Sequence, residues 1–87
     1  MTWKIVYAKQ ALKDAKNLKG AGLKGNAEKL LDVLREDPFK TPPRYEKLIG
    51  DLEGAYSRRL NIQHRLVYQV YIDLKIVKVL RLWSHYD

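Results

Sequence analysis

There is no cysteine among the 87 residues. This excludes a disulfide framework, a thiol nucleophile and any cysteine-ligated zinc or iron–sulfur site. Histidine is nearly as scarce: His64 and His85 stand far apart and make a poor start for a metal site. Neither a metal nor a cofactor is expected. Only two serines, Ser57 and Ser84, are present, and neither sits in the nucleophile elbow that a Ser-His-Asp triad requires. No stretch approaches the roughly 20 apolar residues of a membrane span. Met1-Thr2-Trp3-Lys4-Ile5 carries no apolar signal core, so a cytoplasmic protein without membrane association is expected. The chain is too short for a cofactor-binding fold joined to a second domain, and residues 1–87 are read as one domain.

Positive charge is what the sequence has in excess. Seventeen Lys and Arg against ten Asp and Glu give a net charge of +7 and a pI near 9.7. Around so small a body, that field favours phosphate polymers, an anionic membrane surface or an acidic partner, without choosing among them. With 46% hydrophobic and 31% charged residues, the composition is that of a folded globular domain rather than a disordered segment.

The apolar residues change period along the chain. Trp3-Lys4-Ile5-Val6-Tyr7 is aromatic and β-branched, and reads as a short strand. From Ala8 to Lys19 the stripe Ala8, Leu12, Ala15, Leu18 predicts an amphipathic helix. A second helix starts near Leu23, buries Ala27, Leu30, Leu31 and Leu34, and must stop before Pro38. Gly20-Ala21-Gly22-Leu23-Lys24-Gly25 matches the dinucleotide-binding pattern G-x-G-x-x-G, but a whole helix separates it from the preceding strand; it reads as an interhelix turn. Phe39 to Tyr45, with Thr41-Pro42-Pro43, reads as loop, and Glu46 to Ile49 as a short edge strand. Period two then dominates: Tyr56–Leu60, Arg65–Ile72 and Lys75–Trp83 are three strands with connections short enough for consecutive antiparallel pairing. The expected fold is α+β, in the order β-α-α-β-β-β, with a two-helix hairpin packed on one face of a small, mostly antiparallel sheet. Tyr56 and Tyr68 read as sheet packing before they read as a base-stacking platform.

Alternation sends Arg58 and Arg59 to opposite faces of their strand. On the next strand, Leu66, Tyr68 and Val70 supply the face for the helices, and Arg65, Val67 and Gln69 the open one. Arg65, a second arginine, Glu46 and the chain end bearing His85 and Tyr86 then converge on one concavity. A carboxylate, guanidinium groups and an imidazole suit cleavage of RNA through its own 2′-hydroxyl: base, charge stabiliser and acid. Ordinary pKa values of about 4.3 for Glu and 6.5 for His put the carboxylate in its base form and part of the imidazole in its acid form at neutrality. Arg44 and Lys47, which flank Glu46, join Arg58 and Arg59 as candidate phosphate contacts.

Gly54-Ala55-Tyr56-Ser57-Arg58-Arg59, His64-Arg65-Leu66-Val67-Tyr68 and His85-Tyr86 resemble the YoeB/Txe toxins of bacterial toxin–antitoxin modules, within the RelE/ParE group. Asp37-Pro38-Phe39 and a Glu before Leu48 fit the same pattern. Where that family often reads Lys-Pro-Glu-Pro-Leu-Lys, this chain has Arg44-Tyr45-Glu46-Lys47-Leu48-Ile49, and it ends in Asp87. The resemblance implies a microbial-RNase-like fold and a metal-independent endoribonuclease that cuts messenger RNA in the A site of the 70S ribosome. Glu46 would be the general base, His85 the general acid, and Arg65 the transition-state stabiliser; Arg59 would assist at phosphate and Tyr86 orient the substrate. It further implies neutralisation by a YefM/Phd-type antitoxin, and suggests a homodimer. The alternative is a ParE-like toxin that inhibits a topoisomerase by binding alone; that role needs no acid–base pair.

Overall fold

Each change of hydrophobic period falls at a change of element. The computed structural model describes residues 3–49, 54–61 and 64–85, the last three (83–85) by main chain alone. Its elements are β1 (Lys4–Tyr7), α1 (Lys9–Gly20), α2 (Lys24–Glu36), β2 (Tyr45–Lys47), β3 (Ala55–Arg59), β4 (His64–Tyr71) and β5 (Ile76–His85). The strands form one sheet in the order β1-β5-β4-β3-β2. β1 runs parallel to β5, and the other three pairs are antiparallel. The expected α+β architecture stands, and the short edge strand expected over Glu46 to Ile49 is observed as Tyr45–Lys47, paired with β3.

The helices cover one face. Leu30, Leu31 and Leu34 of α2 and Ala11 and Leu18 of α1 bury against Leu66, Tyr68, Val77, Val79 and Leu82 of the sheet. Between the helices Gly22 takes φ +73°, which glycine adopts without the steric cost of a side chain. The G-x-G-x-x-G match therefore spans the interhelix turn, with Gly20 ending α1 and Gly25 inside α2. α2 stops at Glu36 because Asp37, ahead of Pro38, is already extended (φ −164°, ψ 113°), as the proline ring requires of its predecessor.

α1 departs from the expected stripe. Its buried residues are Ala11, Asp14 and Leu18, whereas Leu12 is 57% exposed. The stripe is rotated because a carboxylate occupies its centre, which no hydropathy pattern reveals. Asp14, 2% exposed, accepts hydrogen bonds from Arg81 Nε (2.7 Å), the Leu82 amide (3.1 Å) and Gln10 Nε2 (3.0 Å).

The opposite face holds a smaller cluster of Leu48, Ala55 and Val67 beside Leu80. Val67 is therefore buried rather than on an open face.

The loop before β2 is tied down by one guanidinium. Arg58, 1% exposed, donates from Nη2 to the Pro38 carbonyl (2.9 Å), from Nη1 to the Pro43 carbonyl and from Nε to the Tyr68 hydroxyl (3.2 Å). That hydroxyl donates in turn to the Pro38 carbonyl (2.9 Å). The guanidinium lies 5.2 Å from the centre of the Tyr45 ring, and Tyr56 packs edge to face against both Phe39 and Tyr45. Tyr56 and Tyr68 are packing residues, as expected. Charged hydrogen bonds are stronger than neutral ones, and buried groups robbed of a partner carry the full desolvation cost. Arg58→Met is therefore expected to lower unfolding stability in urea by about 3 kcal/mol or more. Arg59→Met, at its exposed neighbour, is expected to change it by less than about 0.5 kcal/mol.

Candidate phosphate-binding site

Pairing across the sheet sets Glu46 of β2 opposite Ser57 of β3, Ser57 opposite Val67 of β4, and Arg59 opposite Arg65. These residues share the face away from the helices because side chains alternate along each strand. From β4, Arg65 reaches back across β3. Its Nη1 donates to Glu46 Oε2 at 3.0 Å and lies 3.4 Å from Ser57 Oγ. The pair sits in a cavity of about 210 Å³ lined by Pro43, Arg44, Glu46, Ser57, Arg59 and Arg65. Three guanidinium groups against one carboxylate leave the cavity positive, and their planar forks suit phosphate oxygens.

The arginines set the state of the carboxylate. The hydrogen bond from Arg65, and then its charge, hold the Glu46 carboxyl below its ordinary value, with smaller help from Arg44 and Arg59. Glu46 is accordingly ionised at neutral pH and able to accept a proton. The Arg65 side chain is 14% exposed and that of Glu46 42%; the carboxylate stays within reach of a ligand.

The structure brings together Glu46, Arg65, Arg59 and Arg44. Two other candidates lie elsewhere. Arg58 is the buried anchor of the loop and is not a phosphate contact: its donors are engaged on the helix face. Lys47, one residue beyond Glu46, turns to the other side of β2 and lines a separate hollow with Leu48, Ile49, Gly54 and Tyr56. The β4–β5 ladder places position 85 opposite His64 and position 84 opposite Arg65, so the main chain carries His85 to the Arg65 end of the site. Its side chain, and all of Tyr86 and Asp87, lie outside the described residues.

Ser57 belongs to the site although its sequence context suggested only an improbable nucleophile. It is 1% exposed, and its place two residues before Arg59 is the signal: alternation puts both on one face.

Residues 7–86 match the model of the YoeB-like toxin of bacterial type II toxin-antitoxin systems. Toxin YoeB of Streptomyces coelicolor is 41% identical over 49 residues, 56% of this chain and 58% of that protein; the match spans less than two thirds of that relative. Among solved structures, the YoeB dimer from Staphylococcus aureus is 29% identical with a TM-score of 0.82, covering 99% of this chain and 100% of that one. The heterotetrameric YoeB-YefM toxin-antitoxin complex from the same organism gives 29% identity and a TM-score of 0.80, with coverage of 99% and 100%.

Because Arg65 depresses the Glu46 pKa, the stability that their pairing contributes is present above the ordinary carboxylate value and is lost as pH falls through the lowered one. Carboxyl-detected NMR titration is expected to give a Glu46 midpoint below the ordinary glutamate value in the parent and a higher one in Arg65→Ala. Added salt is expected to narrow the gap, since the carboxylate is partly exposed.

Proposed function

This chain belongs to the family of YoeB-like toxins of bacterial type II toxin-antitoxin systems, and on that premise we propose that it is an endoribonuclease. It cuts messenger RNA in the ribosomal A site and so inhibits translation in the cytoplasm. The observation that carries this reading is the Glu46–Arg65 pair, 3.0 Å apart, in a cavity whose other charged lining is Arg44 and Arg59.

The proposed chemistry uses the RNA's own nucleophile. Ionised Glu46 takes the proton from a 2′-hydroxyl, and the O2′ attacks the adjacent phosphorus. Arg65, assisted by Arg59, stabilises the charge that gathers on the non-bridging oxygens of the phosphorane. His85, one residue beyond the Arg65–Ser84 pair, protonates the departing 5′-oxygen, and Tyr86 orients the substrate. The P–O5′ bond breaks, leaving a 2′,3′-cyclic phosphate and a 5′-hydroxyl. A phosphate that draws Arg65 towards itself also loosens its hold on Glu46. The carboxylate then regains basicity at the moment a base is required.

The same positive cavity suits an acidic segment of a YefM-type antitoxin, which would cover it and exclude RNA. A second copy of the chain is the other proposed partner.

In a translating extract, mapped messenger RNA ends are expected to show cuts confined to ribosome-occupied codons. Glu46→Gln and His85→Ala are each expected to lower kcat by about a hundredfold or more. Arg44→Ala is expected to raise KM chiefly. Catalytic-site variants that remain as growth-inhibiting as the parent, with transcripts intact, would overturn the reading.

A further inference from the structure

β5 does not run evenly beside β4. Tyr68 pairs with Val79, Val67 with Arg81, and Arg65 with Ser84, with register shifts on both sides of Val67. Between the Tyr68 and Arg65 rungs β5 therefore carries two more residues than β4, the mark of β-bulges. Were the ladder even, continuation from the Tyr68–Val79 rung would set Leu82 beside Arg65 and carry position 85 past the end of β4. The bulged stretch instead draws position 85 back by two residues, about 7 Å of strand, to a place opposite His64.

Two neighbours in this stretch break alternation. Arg81 donates to Asp14 on α1, and Leu82 also packs into the core under the helices. The Leu82 amide goes to the Asp14 carboxylate at 3.1 Å. One carboxylate thus holds both the side chain of Arg81 and the main chain of the next residue. Gln10, one turn earlier on α1, steadies the other oxygen at 3.0 Å.

We propose that Asp14, on the helix face, is a positioning residue for the phosphate site on the opposite face. Its carboxylate clamps the bulge of β5 and so fixes the register at which position 85 arrives beside Arg65. The catalytic half of this proposal rests on the acid role given above to His85; the register half does not. A bulge beside an active site re-aims the residues beyond it. Loss of the clamp leaves the Leu82 amide without its acceptor and removes the tie that holds the bulged register.

The test uses the full chain and two readouts. Cross-strand NOEs between residues 64–65 and 84–85 report register; single-turnover and steady-state cutting on programmed ribosomes report kcat and KM. Asp14→Ala is expected to lose those NOEs and to lower kcat at least about tenfold, with KM within about threefold. Asp14→Asn keeps an acceptor for the Leu82 amide, and is expected to keep the NOEs and most of kcat; it carries the test should Asp14→Ala not fold. The proposal is overturned if Asp14→Ala keeps the parent's NOEs, or loses them with kcat unchanged. It is also overturned if Asp14→Asn, still folded, loses both register and rate as fully as a residue with no acceptor. A parent chain that cuts no RNA overturns the reading of function and the catalytic half with it; the NOEs then decide the register half alone.

Discussion

The burial of one guanidinium under the loop that precedes β2 organises this molecule. Arg58 spends its donors on two carbonyls of a proline-containing loop and on a tyrosine hydroxyl. A short edge strand of three residues has little stability of its own, and the loop leading into it has no regular ladder. The buried charge ties both to the sheet. Because side chains alternate, committing Arg58 to the core commits Ser57 and Arg59 to the opposite face, and pairing then sets Glu46 beside Ser57. The cavity is a consequence of which way β3 faces.

The two faces of the sheet have different work. Under the helices lies the larger apolar core, with Tyr68 at its edge, whose hydroxyl burial pushes above its usual value of 10.0. Across the sheet the charged residues remain accessible, grouped so that three cations surround one anion. Such an arrangement is poor as a stability device, since partly exposed ion pairs contribute little. It is well suited to a polyanion, because binding a phosphate exchanges one anionic partner of Arg65 for another. Asp14 couples the faces. Burial works to raise its pKa, yet the hydrogen bonds from Arg81, Gln10 and Leu82 hold it below 3.8. It is thus a charged group at the join between helix α1 and the strand that carries His85.

Much of this was legible in the residues alone. The period of the apolar residues located both helices and the three long strands to within a few positions. Alternation predicted the opposite fates of Arg58 and Arg59, and the shared face of Leu66, Tyr68 and Val70. What sequence could not supply was the direction of β3: nothing in Ser57-Arg58-Arg59 says which arginine turns inward, and only its carbonyl partners distinguish Arg58 from a phosphate contact. The buried stripe of α1 departs from its hydropathy pattern for a related reason. A buried Asp is invisible to hydropathy when its partner, Arg81, lies far along the chain. Adjacency to Glu46 suggests Lys47 for the site, but neighbours in a strand face opposite ways. Parallel pairing of β1 with β5 and the bulges of β5 depend on tertiary packing, and no local pattern encodes them.

The central claim is that Glu46 acts on a 2′-hydroxyl while Arg65 bears the charge of the attacked phosphate. It is tested most directly by removing that hydroxyl alone. On ribosomes programmed with a message carrying a single 2′-deoxy nucleotide on the 5′ side of the scissile phosphate, cutting at that bond should cease, while the all-ribose message is cut to a 2′,3′-cyclic phosphate. Cleavage of the deoxy-substituted bond at the rate of the unmodified one would contradict the account.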